Sequence, residues 1–228
     1  MEWGFANGEQ SLCREKAGTI KIFCSITIRE QMLEFIMIKT GMQIYLASKS
    51  PRRRKLLKQL GIKFKSFSVN TIEDVLDGEH PVDCVKRLAL EKMNRAKKKV
   101  QNSIIITADT IVVLDNKVIG KPKNHKDAIN ILSLLSRRVH AVYTGFYVFN
   151  QKTNKSIIDF EKTKVEFRKL NKDEILDYVQ GGSPMDKAGA YGIQDDFGAV
   201  FVKRINGCYY NVVGLPLTKL YNALRKIT

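Results

Sequence analysis

A basic segment near residue 50 places hydroxyl, ammonium and guanidinium groups at one junction. Residues 46–54, LASKSPRRR, include Ser48, Arg52 and Arg53, and they stand where an apolar stretch gives way to the start of a helix. Free backbone N–H groups at a helix N-terminus attract anions, and guanidinium groups match phosphate oxygens in pairs. The segment therefore predicts a phosphate site. The alternative is an N-cap serine followed by surface arginines.

Acidic side chains follow at two further places. Asp109 ends the apolar run 104–108, which is typical of a strand buried on both faces, and ligands collect at the carboxyl ends of such strands. Glu73 and Asp74 lie in a polar stretch after the second predicted strand. Because magnesium takes one or two carboxylates plus phosphate oxygens, Asp109 with Glu73 or Asp74 is a candidate metal site. The alternatives are a turn cap at Asp109 and a solvated acidic loop.

Two lysines and a stretch rich in small residues complete the candidate set. Lys92 adjoins the apolar face of a predicted helix, and Lys121 follows the end of a strand. Near a polyphosphate, such ammonium groups would stabilise the leaving pyrophosphate. Residues 186–194, DKAGAYGIQ, include Tyr191, which could support a base, and Gln194, whose amide can donate and accept at a base edge. This composition is typical of a binding loop and not of a core.

The elements that must position these side chains alternate between strand and helix from residue 44 onward. The first helix has both ends marked, because Ser50 is a good N-cap, Pro51 suits the first turn and Gly61 favours a stop. The resulting prediction is an α/β fold with a mixed sheet and flanking helices. The pattern predicts strands at 44–47, 64–69, 104–108, 110–114, 117–119, 142–149 and 157–168, a hairpin at 200–213, and further helices at 81–99, 126–135, 173–179 and 216–226.

Composition is that of an ordinary globular protein with a basic charge. The 228 residues are 44% hydrophobic, and the four cysteines lack the spacing of a zinc site or a disulfide framework. We expect no membrane span, since no apolar run approaches the roughly 20 residues that a bilayer requires. The net charge of +16 would concentrate anions such as nucleotides, nucleic acid or membrane surfaces. Runs such as residues 97–99 have a simpler alternative, a solvated helix end.

Five ordered motifs together resemble the Maf family of nucleotide pyrophosphatases. They are LASKSPRR from Leu46, ADT from Ala108, GKP from Gly120, HAVYTG from His140 and NVVGLPL from Asn211. The resemblance predicts a Maf-like domain over residues 42–228 and leaves 1–41 as an extension to which the sequence assigns no role. It implies a twisted sheet in two lobes around a central cleft, similar to the inosine triphosphatase fold, and often a homodimer.

The resemblance also implies a reaction and roles for the candidate residues. Family members cleave nucleoside triphosphates between the α and β phosphorus atoms with Mg²⁺ or Mn²⁺. Carried over by motif, Asp109 is the catalytic carboxylate that binds metal or activates water. The residues expected to hold phosphates are Ser48, Arg52, Arg53, Lys92 and Lys121. The stretch that ends at Gln194 resembles the branch that prefers dTTP and UTP.

Two departures from the family pattern concern acidic residues. Glu73-Asp74 stands where the family usually has a pair that ends in glutamate, so either residue is a candidate metal ligand. Asp195-Asp196 stands where the dTTP and UTP branch commonly continues with glycine.

Two other functions stay open at this point. A nucleic-acid-binding or septum-related regulator would suit the charge of +16, although no predicted helix carries a basic stripe with interleaved aromatics. An inosine triphosphatase-like enzyme would share the chemistry but act on other noncanonical nucleotides. We expect a cytoplasmic enzyme with a nucleotide substrate and neither a membrane nor a nucleic-acid partner.

Overall fold

A mixed sheet forms the centre of the computed structural model, which describes residues 38, 40–71, 73–194 and 197–228. Its seven strands in this part of the chain are β1 (Gln43–Ala47), β2 (Phe64–Phe67), β3 (Ser103–Leu114), β4 (Lys117–Ile119), β5 (Val139–Asn150), β6 (Lys155–Phe167) and β7 (Val202–Asn206). Their order is β2-β1-β3-β5-β6-β7, with β4 paired to β3. β1 runs parallel to β2 and β3, and the other pairings are antiparallel. The mixed sheet is confirmed.

Helices flank this sheet. They are α1 (Pro51–Gln59), α2 (Pro81–Ala96), α3 (His125–Leu135), α4 (Lys172–Gln180), α5 (Tyr209–Val213) and α6 (Leu217–Ile227), with 3₁₀ turns at Ser183–Asp186, Ala188–Ala190 and Phe197–Phe201. α1 begins as predicted, since the Ser50 side chain accepts a hydrogen bond from the Arg53 backbone N–H and Pro51 opens the first turn. None of the described helices is long and apolar enough to cross a membrane.

Both faces of β3 are covered by apolar side chains. Ile106 and Val112 belong to the main core, whereas Ile111 and Val113 pack with Val85 of α2 in a second cluster. Since side chains alternate across a strand, this division places α2 on the face opposite the main core. α2 is therefore the helix that can carry a side chain to that face of β3.

The strands predicted at 104–108 and 110–114 form one strand, so the prediction of a strand end at Asp109 is wrong. β3 continues because β5 pairs with it from Ile104 to Val113. β1 is the strand that stops here, and its last partner on β3 is Ile106. Asp109 consequently lies on a continuous strand, just beyond the carboxyl end of its parallel neighbour.

The hairpin predicted at 200–213 is also wrong. Only β7 forms there, and it pairs with β6 instead of with a following strand. The backbone turns at Gly207 with φ +128°, a conformation that favours glycine, and α5 follows. Almost all of the predicted extension 1–41, and the departure at Asp195-Asp196, lie outside the described residues.

Candidate active site

A cleft of about 350 Å³ lies over the carboxyl end of β1. Its lining includes the start of α1, the middle of β3, and residues 186–188, 191–194 and 212–214. Every site residue predicted from the sequence lines this cleft except Asp74. Those that do are Ser48, Arg52, Arg53, Glu73, Lys92, Asp109, Lys121 and Gln194.

A buried lysine joins two carboxylates in the cleft. Lys92 and Asp109 are 6% and 5% exposed, and the Lys92 ammonium donates to a carboxylate oxygen of Asp109. The same ammonium donates to Glu73 Oε1 at 2.7 Å. A buried carboxylate is costly without a partner, and Lys92 is that partner. The Lys92 ammonium thus holds the carboxylates of Glu73 and Asp109 close together.

Close packing of α2 on the sheet brings Lys92 to Asp109. Gly145 of β5 lies opposite Asp109 in the β3–β5 register, and a Cβ at Gly145 would stand 2.4 Å from the Val85 carbonyl oxygen. The Thr107 hydroxyl donates to the Ala89 carbonyl of α2 at 2.8 Å. α2 therefore rests directly on the backbone of the sheet, which sets the reach of its lysine.

Glu73 is the member of the acidic pair that the structure brings to the cleft. Its Oε2 accepts a second hydrogen bond, from Lys121 Nζ at 3.0 Å. Burial alone would raise the pKa of Glu73, but the Lys92 ammonium and the Lys121 hydrogen bond lower it to about 2. The carboxylate is therefore ionised at neutral pH. Asp74 is exposed, and its backbone carbonyl accepts a hydrogen bond from Arg87.

Arg53 links the elements beneath the cleft. Its Nε donates to the Gly214 carbonyl at 2.8 Å, Nη1 to the Ala108 carbonyl at 2.9 Å, and Nη2 to Thr110 Oγ1 at 2.8 Å. These bonds engage three of the five N–H groups of the guanidinium. Burial lowers the pKa of Arg53, with the charge of Asp109 acting in the opposite direction. The side chain holds the strand of Asp109 as well as facing the cleft.

A chain of hydrogen bonds continues from Arg53 into the core. The hydroxyls of Thr110 and Thr144 lie 3.0 Å apart, and Thr144 donates to the Asn211 carbonyl at 3.1 Å. The Asn211 amide donates to the Val142 carbonyl at 3.0 Å. Sequence reasoning missed Thr110, Thr144 and Asn211 as site residues, although each lies in one of the five motifs.

Arg52 makes an ion pair with Asp186. Its Nη1 donates to Asp186 Oδ2 at 2.7 Å and its Nη2 to the Asp186 carbonyl at 3.2 Å. Lys187 Nζ donates to the other carboxylate oxygen at 2.9 Å. The Asp186 side chain is 57% exposed, so water competes for this pair. Asp186 was not a predicted site residue, because nothing local in the sequence indicates a contact with Arg52.

Ser48 and the start of α1 form the wall beside Arg52. The Ser48 hydroxyl is buried and accepts a hydrogen bond from the Ser50 backbone N–H at 3.2 Å. Ser50 in turn caps α1. The N-terminus of a helix thus faces the cleft next to a hydroxyl and a guanidinium, an arrangement suited to phosphate oxygens.

Residues 191–194 form another part of the cleft wall. The Tyr191 hydroxyl and His140 Nε2 lie 2.8 Å apart, and the Gly192 backbone N–H donates to the Tyr178 hydroxyl at 3.3 Å. Burial raises the pKa of Tyr191 and lowers the pKa of His140 to about 4, so both rings are uncharged at neutral pH. Gln194 lines the cleft at the end of this wall.

The two carboxylates suit a divalent cation whose remaining coordination positions are filled by a ligand. Within the described residues, no group of three His, Cys, Asp or Glu side chains could enclose a metal ion. Glu73 and Asp109 share one ammonium instead. Magnesium commonly takes one or two carboxylates and fills its remaining positions with water and phosphate oxygens, so these two residues fit such a cation.

Comparison with known proteins gives consistent matches. The model of the family described as Maf-like protein matches residues 43–227. A dTTP/UTP pyrophosphatase of Aquifex aeolicus (strain VF5) is 46% identical over 186 residues, which cover 82% of this chain and 96% of that protein. One of Thermoanaerobacter sp. (strain X514) is 47% identical over 186 residues, 81% of this chain and 96% of its own. One of Dictyoglomus turgidum is 48% identical over 185 residues, which cover 81% of this chain and 95% of that protein.

A solved structure with much lower sequence identity was also matched. It is the structure of a HAM1 protein from Coxiella burnetii, with a TM-score of 0.42 and 15% identity, covering 81% of this chain and 99% of that one.

Proposed function

The chain belongs to the Maf family, and from this premise we propose that it hydrolyses nucleoside triphosphates, with dTTP and UTP as substrates, to the monophosphate and pyrophosphate. The observation that carries the proposal is the pair of carboxylates, Asp109 and Glu73, joined by buried Lys92 in a cleft that also presents cationic side chains. The names of the similar enzymes support the choice of pyrimidine nucleotides.

Two residues would hold a divalent cation, Mg²⁺ or Mn²⁺. Asp109 and Glu73 are the donors, and Asp74 is excluded from our proposal because its side chain does not line the cleft. When bound, such a cation acts as a Lewis acid that polarises the phosphoryl oxygens and offsets their charge. Lys92 keeps the two carboxylates together before any ligand enters.

The phosphates would bind between the start of α1 and Lys121. Arg52 can exchange the Asp186 carboxylate for a phosphate oxygen, so its guanidinium stays paired with an anion throughout. Ser48 and the N-terminus of α1 add neutral donors on the same side. Arg53 mainly keeps the Asp109 strand and the Gly214 loop in place, because most of its donors are already engaged.

Hydrolysis then requires water and a stabilised leaving group. The Asp109 carboxylate orients a water molecule and accepts its proton while the water oxygen bonds to the α phosphorus. The bond from the α phosphorus to the bridging oxygen breaks, and pyrophosphate leaves with the electron pair. Lys92 and Lys121 offset the charge that develops on that oxygen. Gln194 would pair with the edge of the pyrimidine, beside the Tyr191 ring.

Replacement of the carboxylate tests this proposal. Asp109→Asn should reduce pyrophosphate release to background and leave the fold intact, because the amide neither accepts the proton nor offers the same charge. Asp115→Asn is the matched control, since Asp115 lies on the same hairpin in an exposed pair with Arg138. Release of pyrophosphate should be profiled across canonical and modified triphosphates. Near-wild-type release by Asp109→Asn would contradict the catalytic role, and a preference for inosine triphosphate would contradict the pyrimidine assignment.

Assembly as a homodimer, which the family resemblance implies, and a cytoplasmic location stay predictions.

A further inference from the structure

The segment that carries Glu73 lacks apolar anchors of its own where the structure describes it. We call residues 73–79 the acidic loop; it precedes α2 and contains Glu73, Asp74 and Glu79. Val75 and Leu76 in its middle are 41% and 54% exposed, so they contribute little packing. A loop of this kind would sample many conformations unless polar contacts fixed it.

Arg87 of α2 holds both ends of the acidic loop. Its Nη2 donates to the Asp74 carbonyl at 2.9 Å, next to Glu73. Its Nε and Nη2 donate to the two carboxylate oxygens of Glu79 at 2.7 and 2.6 Å. Its Nη1 donates to Glu91, one turn further along α2, at 2.8 Å. The guanidinium is therefore fixed on its own helix and fixes the loop in turn.

α2 thus contacts the acidic loop both at a side-chain carboxylate and at a backbone carbonyl. Lys92 holds the Glu73 carboxylate, but Lys92 also serves Asp109 and, under the proposed function, the leaving phosphates. Arg87 does not line the cleft and holds the backbone beside Glu73 instead. Its contacts can persist when Lys92 changes partner.

The geometry points to Arg87 as a positioning residue that keeps Glu73 beside Asp109, so that both carboxylates meet a divalent cation together. This inference rests on the proposed function. Lysine cannot replace Arg87 fully, because a single ammonium does not present the planar fork that reaches the Asp74 carbonyl, Glu79 and Glu91 together. The role resembles that of outer partners that orient metal ligands in other proteins.

The test is the affinity for Mn²⁺, measured from the EPR signal of free Mn²⁺. Titrations use the full chain, with Mn²⁺ alone and with a dTTP analogue whose α–β bridging oxygen is replaced by methylene. Arg87→Met should weaken Mn²⁺ binding about 10-fold, the lower end for outer partners of a metal site. Arg87→Lys should recover part of the loss, and Glu79→Gln should weaken binding in the same direction.

Arg168→Met is the matched control. Arg168 is also partly exposed, 34% against 26% for Arg87, and it too binds backbone carbonyls and a glutamate, here Glu174. It does not line the cleft, so its loss should lower the free energy of unfolding in urea and leave Mn²⁺ affinity unchanged. A metal-affinity loss confined to the Arg87 and Glu79 variants supports the positioning role.

Two outcomes would overturn the inference in distinguishable ways. If the wild-type protein releases pyrophosphate and Glu73→Gln weakens Mn²⁺ binding, but the Arg87 and Glu79 variants bind Mn²⁺ like the wild type, the positioning role alone is wrong. If the wild type releases no pyrophosphate from any triphosphate, the proposed function fails and this inference fails with it. Should Arg87→Met not fold, Arg87→Lys and Glu79→Gln decide.

Discussion

The floor and the rim of the cleft are both built from ion pairs, but they differ in burial. We define the floor as Arg53, Lys92, Asp109 and Thr110, and the rim as Arg52, Glu73, Lys121 and Asp186. In the floor, the Lys92 and Asp109 side chains are 8% and 7% exposed. In the rim, the side chains of Lys121 and Glu73 are 54% and 41% exposed.

This difference in burial indicates that floor and rim have different roles in binding. The charges of Lys92 and Asp109 in the floor are almost fully removed from water, so the fold itself must supply their partners, and their geometry is set before a ligand arrives. A rim pair is screened by solvent and contributes little to stability. Its members can therefore exchange a protein partner for a substrate phosphate at small cost.

Adjacent arginines offer the most direct way to break the comparison. Arg53→Lys should lower the free energy of unfolding by about 3 kcal/mol, because a single ammonium cannot serve the part-buried acceptors at Ala108, Thr110 and Gly214 together. Arg52→Lys should change it by no more than about 1 kcal/mol, since its pair with Asp186 is solvated. Urea unfolding at neutral pH measures both. Equal losses would mean that the contacts of Arg53 in the floor stabilise the fold no more than the pair of Arg52 in the rim.

The packing beneath the floor gives the next largest effect. Gly145→Ala forces a Cβ against the Val85 carbonyl, so α2 must move away from β5. We expect a loss of about 2 kcal/mol in unfolding free energy from overpacking. kcat/KM should fall about 100-fold, because Lys92 moves with α2 away from Asp109 and small misplacements are costly in catalysis.

Gly41→Ala is the control for that substitution, because a Cβ there meets nothing within 4 Å. It should leave both stability and kcat/KM near their wild-type values. If Gly145→Ala kept full activity, the claim that close packing of α2 positions Lys92 would be wrong.

In both floor and rim, the sequence predicts most of the charged residues but not the contacts that they make. The apolar run before Asp109 and the helix start after Ser48 are local patterns, and they indicated a buried carboxylate beside a phosphate site. The contact between Arg53 and the Gly214 carbonyl spans 161 positions, and that between Arg52 and Asp186 spans 134. Such contacts depend on how distant segments meet, which periodicity and turn residues do not encode.

The choice between Glu73 and Asp74 shows the same limit. Neighbouring acids in a polar loop are equivalent in composition. They are separated by contacts with distant elements, from Lys92 and Lys121 to the Glu73 carboxylate and from Arg87 to the Asp74 carbonyl. The hairpin at 200–213 was mispredicted for a related reason. A strand followed by glycine looks the same whether its partner is the next segment or, as here, the preceding strand β6.

Acid titration of Glu73 should give the smallest effect and sharpens the boundary between rim and floor. The folded state lowers the pKa of Glu73 from its ordinary 4.5 to about 2. The unfolded chain therefore takes up a proton near pH 4.5, whereas the folded protein does so only near 2, and the stabilisation present above 4.5 is lost as pH falls through this window. Because the side chain is 41% exposed, the pair contributes at most about 1 kcal/mol. Urea unfolding of wild type and Glu73→Gln at several pH values measures it: the difference between the two should be largest at neutral pH and shrink below 4.5. A difference that stays constant with pH would mean that folding does not lower the pKa of Glu73, and one that exceeds several kcal/mol would place Glu73 with the buried floor.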